Sequence, residues 1–206
     1  RELFSDIKFR WNSKNEENYQ TIIFMSYLKN LIDDKHSALQ MKKIVRYVGK
    51  NQLRFDELLK ITLGKDERLA QRASWPIGYC IELYPELANK HLKRIISHLP
   101  VRSHPAIQRN LAKLLMFVEV PEKLESLLVD NCFLILNSND SPIANRAYAA
   151  YAIEKICRKY PELYSELKES LKTHSEVASP GMLAALRKIE TFERKYSKNK
   201  KELHNI

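Results

Sequence analysis

Apolar residues recur at steps of three and four along most of this chain, which is the period of a helix with one buried face. Within Asn15–Asp34, Ile23, Tyr27, Leu28, Leu31 and Ile32 keep that step, and Glu16 and Glu17 sit where carboxylates offset a helix dipole. Ala38, Met41, Val45 and Val48 stripe a helix over Ser37–Val48; Phe55, Leu58, Leu59 and Leu63 stripe another over Phe55–Leu63. Gly49 and Gly64 stand just past these two helices, where left-handed caps are expected. In 66–100, Leu69, Ala73, Ile77, Cys80 and Tyr84 mark one helical face, and Leu87, His91, Ile95 and Leu99 mark a second. Pro85 lies between them, pre-organised for the first turn of the second helix. Arg1–Asn12, with Phe4, Ile7, Phe9 and Trp11, fits either a short helix or an extended arm.

The two-helix pattern repeats. Arg72, Arg109 and Arg146 are spaced 37 residues apart, each preceded by Gln or Asn, and six residues earlier stand Asp66, Ser103 and Asp140, all good N-cap types. Tyr84-Pro85-Glu86-Leu87 matches Val120-Pro121-Glu122-Lys123 and Tyr160-Pro161-Glu162-Leu163. Ser179–Tyr196 has the first half of a further unit, with Pro180 near its start and Met182, Leu186, Ile189 and Tyr196 as its stripe. A period of this length with two helices per unit predicts an all-α solenoid, an alpha-alpha superhelix of about four to five hairpins whose stacking buries a shared core. The organisation expected is an N-terminal arm and capping helix over 1–34, repeats over 35–196, and a basic, frayed tail over 197–206.

The Asp66/Arg72 and Asp140/Arg146 pairs, the weaker Ser103/Arg109, and the small residues Ala112 and Ala149 one turn on resemble the pattern of HEAT repeats. The chain is also similar to small bacterial HEAT-type proteins. The resemblance covers roughly 35–196 and implies that the arginines pair with aspartates and helix-end carbonyls between adjacent repeats. HEAT is an architecture, so function has to come from sites. One enzyme family built this way, the HEAT-like alkylpurine DNA glycosylases, resembles the chain in size, basic charge and a cleft tryptophan. There a catalytic aspartate follows a tryptophan by one turn. Here Tyr79 follows Trp75 and Asn15 follows Trp11, so the catalytic element is broken and the activity does not carry over.

Composition adds limits. Four glycines and eight prolines in 206 residues are too few for a turn-rich sandwich or barrel. No apolar run reaches the roughly 20 residues of a membrane span. Cys80, Cys132 and Cys157 are widely spaced among apolar neighbours, which predicts buried reduced thiols and a cytoplasmic, reducing setting. The chain begins at Arg1, so a leader, anchor or upstream segment removed before it is compatible with the sequence. The net charge of +10 is unevenly spread: 35–65 carries +6 and 179–206 carries +4, while 66–178 is almost neutral.

The candidate chemistry points to binding. No HExxH, Gly-rich phosphate loop or GxSxG is present, and no catalytic residue, metal or cofactor is expected. His91 and His98, two turns apart on one helix, are too far apart to share a metal. Glu86, Glu122 and Glu162 sit at helix starts and read as structural. The departure from the repeat is Trp75-Pro76-Ile77-Gly78, where Pro76 removes a mid-helix hydrogen bond and should kink the helix near Arg72. Trp75 and Tyr79, with the basic residues Lys42, Arg46, Lys50 and Arg68, form the predicted contact zone on a concave face; Lys42, Arg46 and Lys50 fall at i, i+4 and i+8. Asp66, Arg72, Arg109, Asp140 and Arg146 are read as the structural ladder. The expected partner is an acidic protein or peptide. The alternative is nucleic acid gripped by the 35–65 basic face, with charges on phosphates and an aromatic on a base.

Overall fold

The structure, a computed structural model, describes residues 27–101, 104–175 and 180–203. Among these residues every regular element is helical. Residues 27–34 form α1, followed by α2 (Ala38–Val48), α3 (Gln52–Thr62) and α4 (Glu67–Leu83). A 3₁₀ segment, Pro85–His91, leads into α5 (Leu92–His98). Then come α6 (Pro105–Leu114), a 3₁₀ turn Leu115–Phe117, α7 (Glu122–Asn137), α8 (Ile143–Cys157), α9 (Leu163–Ser175) and α10 (Pro180–Leu203). The Asn15–Asp34 expectation is described only from residue 27 onward, and Arg1–Asn12 lies outside the described residues.

Two layers result. Helices α2, α4, α6, α8 and α10 pack side by side in one layer, and α5, α7 and α9 follow each other in the second, which α3 begins. The predicted stripes meet between the layers: Leu69, Ala73, Ile77 and Cys80 from α4, and Leu87, Ile95 and Leu99 from the following segment, are all buried. Burial continues without a break through Leu111, Leu128, Ile135, Ile153, Leu167 and Ile189, so one core runs the length of the stack. The three thiols are buried and unpaired, and burial pushes each up to about 12. None of the helices among the described residues is long and apolar enough to cross a membrane.

The helix starts and ends differ from expectation in five places. Ser37, Asn51 and Asp66 cap their helices with side-chain oxygens, but α8 starts at Pro142–Ile143, and Asp140 lies exposed before it without capping. His104 caps α6, its Nδ1 accepting from the Ala106 amide at 3.2 Å; Ser103 lies outside the described residues. Gly49 has a positive φ of 50° and closes α2 as expected. Gly64 does not take the left-handed conformation; a Cβ there would stand 3.1 Å from the Ile61 carbonyl oxygen and 3.2 Å from that of Lys60, so a side chain would require these carbonyls to give by a few tenths of an ångström. Pro85 starts a 3₁₀ segment, and α-helix resumes only at Leu92. At the C-terminal end α10 runs through residue 196 to Leu203.

Helix α4 continues unbroken through Pro76. Its buried neighbour Ser74 donates to the Gln71 carbonyl at 2.7 Å. Gly78, two residues on, is buried, yet a Cβ there would meet nothing within 4 Å. Glycine inside a helix costs roughly 1 kcal/mol relative to alanine. Gly78→Ala is therefore expected to stabilise the protein by about 0.5–1 kcal/mol, read as a higher urea midpoint at unchanged slope. A lower midpoint would show that the space beside Gly78 is not open.

Candidate functional site: a basic groove across α4, α6 and α8

The layers are tied by polar contacts that cross from one hairpin to the next. Gln108 donates to the Leu99 carbonyl at 2.9 Å, and Asn145 donates to Gln108 Oε1 at 2.7 Å and to the Pro105 carbonyl at 3.0 Å. Asn110 donates to Ser74 Oγ at 2.9 Å, and Asn131 to the Ile96 carbonyl at 3.0 Å. All of these amides replace water that packing has removed, as buried polar groups require.

Three ladder arginines that are equivalent in sequence have different surroundings. Arg72 donates to the Asp33 carbonyl at 2.6 Å and approaches the Asp33 carboxylate at 3.7 Å, closing the end of α1. Arg146 donates through Nε to the Ser138 carbonyl at 3.1 Å and through Nη2 to that of Asn139 at 2.9 Å, at the end of α7. The partners expected from the repeat pattern, Asp66 and Asp140, take no part: Asp66 caps the Leu69 amide instead. Beside Arg109, Gln108 takes the Leu99 carbonyl after α5. Arg109 is exposed, has no hydrogen-bond or ion-pair partner among the described residues, and lines an open groove of about 630 Å³.

The groove crosses the outer side of the first layer. Trp75 and Gln71 come from α4, Arg109 and Lys113 from α6, and Tyr148 from α8; His36 and His104 close its ends. The half-buried Trp75 ring packs on His36 at 5.5 Å between centroids. Lys113 Nζ sits 5.1 Å over the Tyr79 ring and 3.9 Å from Glu82. Tyr79 thus reaches the groove through Lys113. No carboxylate is among the residues lining it. The arrangement joins two cations, two imidazoles and two aromatic rings, with the Glu82 carboxylate beside Lys113 but outside the lining.

The remaining predicted contact residues lie elsewhere. Lys42, Arg46 and Lys50 are exposed on and just past α2 and do not line the groove; Lys50 Nζ sits 5.4 Å over the Tyr84 ring. Arg68 is engaged with Asp33 at 2.6 Å. The sequence reading missed His36, His104, Lys113 and Tyr148, and it placed Arg109 in the scaffold. The near-neutral charge of 66–178 hid them, because the carboxylates that balance that sum lie outside the groove lining.

Glu125 illustrates the point, and Asp56 does the same outside that segment. Glu125 accepts from Lys159 at 3.2 Å and from the Tyr160 hydroxyl at 3.1 Å, bridging α7 to the turn after α8. Asp56 on α3, in the preceding segment, accepts from Gln52 at 2.8 Å and Lys90 at 2.7 Å and lies 2.7 Å from His91 Nε2, so His91 is half-buried and partnered. Burial pushes the Asp56 carboxyl up, but the bonds from Lys90, His91 and Gln52 outweigh it and hold the group below its usual range. The stabilisation is therefore present above the unfolded carboxylate pKa of about 3.9 and is lost as pH falls through the lower folded value. Asp56→Asn is expected to cost about 1–2 kcal/mol at neutral pH, with the difference from wild type shrinking in acid as the carboxyl protonates. Urea midpoints at neutral and acid pH check this, and an equal gap at both would exclude the ionised carboxylate as its source.

Among the described residues no group of His, Cys, Asp and Glu is placed to hold a metal ion. A family model described as a HEAT repeat domain matches residues 28–191. No curated protein and no solved structure matches the chain.

Proposed function

The chain belongs to the HEAT-repeat family, and on that premise we propose that it is a non-enzymatic binding module whose α4–α6–α8 groove receives an acidic segment of a partner protein. The observation that carries this is Arg109. Arg72 and Arg146 spend donors on helix-end carbonyls, whereas Arg109 has no hydrogen-bond or ion-pair partner among the described residues and lines the groove. Lys113 adds a second charge beside it, and Trp75 and Tyr148 supply the rigid aromatic area on which binding energy concentrates. The exposed stripe of Lys42, Arg46 and Lys50 on the same chain raises the encounter rate of an acidic partner without touching it.

Trp75 is its own reporter. The chain has two tryptophans, so Trp11→Phe leaves Trp75 as the one source of tryptophan fluorescence. Titrating that protein with tetraglutamate is expected to change the emission saturably, and titrating with tetralysine to leave it flat. A flat response to both peptides would sink the groove as an acidic-segment site.

The nucleic-acid reading rests on the same α2 stripe. It predicts an affinity for duplex or single strand that falls steeply with salt and is lost in Lys42→Glu/Arg46→Glu. The groove reading predicts that this double variant still binds tetraglutamate at physiological ionic strength.

A further inference from the structure

The row of charges and rings does not stop at the groove. Tyr148 packs edge-on against Tyr151, which lies one turn further along α8, at 6.2 Å between centroids. The Tyr151 ring carries the Lys188 ammonium at 4.3 Å, and the same ammonium stands 5.7 Å from the Phe192 centroid on α10. On the other side of the groove Lys113 sits over Tyr79 on α4. Rings and cations thus occur on α4, α6, α8 and α10, helices that are successive neighbours in the first layer. Lys188 is exposed and has no carboxylate partner among the described residues.

Resting on the reading of the groove given above, we infer that the acidic segment is extended and crosses all four helices, with Lys188 on α10 as its second anchor. The ring contacts decide what kind of chain fits. A cation held over a ring loses part of its freedom before any ligand arrives, which lowers the ordering cost of binding. The same contacts occupy ring faces on which nucleobases would stack. The row therefore presents fixed positive charge, with few open aromatic platforms, and that suits the carboxylates of a peptide better than a single strand of nucleic acid. Its length follows from helix packing. Neighbouring helices stand about 8–10 Å apart, so three steps from α4 to α10 span roughly 24–30 Å. An extended chain rises about 3.3 Å per residue and needs about eight residues to cover that distance.

The test uses the full chain carrying Trp11→Phe, with Trp75 emission as readout. Octaglutamate is expected to bind about thirtyfold more tightly than tetraglutamate, beyond the roughly fivefold that its extra registers give. Lys188→Glu is expected to reduce that gap to the roughly fivefold statistical factor while leaving tetraglutamate affinity within about twofold. Helical circular dichroism confirms that the variant is folded. A gap no larger than the statistical one, or one that survives Lys188→Glu, overturns the extended path while the groove reading stands. Binding of neither peptide overturns both. An oligothymidylate that binds more tightly than octaglutamate overturns the inference in favour of nucleic acid.

Discussion

Glu154→Ala is expected to destabilise the C-terminal part of the solenoid by about 3–4 kcal/mol. Glu154 is 1% exposed on α8, and its carboxylate accepts a fork from Arg158, with Nε at 2.9 Å and Nη2 at 2.6 Å, together with the Tyr164 hydroxyl at 2.9 Å. Tyr164 belongs to α9 and is itself buried; burial and the bond to Glu154 push its hydroxyl well above the ordinary tyrosine value, so it stays a donor. The Arg158 guanidinium lies 5.3 Å from the Phe192 centroid and 4.8 Å from that of Tyr196, both on α10. One carboxylate therefore ties together α8, α9 and, through Arg158, α10. Alanine leaves a buried hydroxyl unsatisfied and a cavity beside it, and it frees Arg158 from the geometry that stacks it on α10. Glu154→Gln, which keeps the volume and an acceptor but not the charge, is expected to cost about half as much. Stacked repeats contact only their neighbours, so the loss should stay local. Amides of α9 and α10 should exchange faster by hydrogen-exchange mass spectrometry while those of α4 and α6 keep their protection. A uniform loss of protection along the chain, or a change below about 1 kcal/mol, would show that Glu154 does not hold this end together.

The example also shows which parts of the molecule the sequence discloses. Helical stripes such as Leu69, Ala73, Ile77 and Cys80 are legible because burial imposes one period on one element. The repeat is legible because arginines and Tyr-Pro-Glu turns recur as the same residue types. The ties between repeats are not legible in that way. Asp56 with Lys90 and His91, and Glu125 with Lys159 and Tyr160, are one repeat apart, but they pair unlike residues, and self-similarity cannot reveal complementarity. The candidate site was half legible. Trp75 stands out as a large ring where other repeats carry small residues. Arg109 does not stand out, because it matches Arg72 and Arg146 in register, and register alone does not tell an arginine bound to its scaffold from one that lines a groove. The expected pairing with helix-end carbonyls holds for Arg72 and Arg146, and the aspartate beside Arg72 is Asp33 of α1. Arginine reaches the nearest unsatisfied carbonyls, and those lie at the ends of α1 and α7, away from Asp66 and Asp140.

Arg109→Glu is accordingly expected to weaken tetraglutamate binding by about a hundredfold, or about 2.7 kcal/mol, and to leave stability within about 0.5 kcal/mol of wild type. The reversal replaces an attraction with a repulsion at close range, where partial exclusion of water keeps the effective dielectric well below that of bulk solvent. Stability is spared because Arg109 is exposed and makes no hydrogen bond or ion pair among the described residues. Arg72 and Arg146 are the internal comparison: Arg72→Ala and Arg146→Ala remove donors from helix-end carbonyls and should lower the urea midpoint, with no direct effect on the peptide. Arg46→Glu makes the same change in net charge on α2, outside the groove lining. At physiological ionic strength the screening length is about 8 Å, so Arg46→Glu should alter the affinity by less than about threefold. This pair of reversals separates a site from a general preference for anions. Equal losses from Arg109→Glu and Arg46→Glu would mean that the peptide senses the total charge of the chain and that the groove has no special part in binding it. Loss from Arg109→Glu alone, with Arg109→Lys restoring part of the affinity through charge without the planar fork, would assign the binding to this arginine.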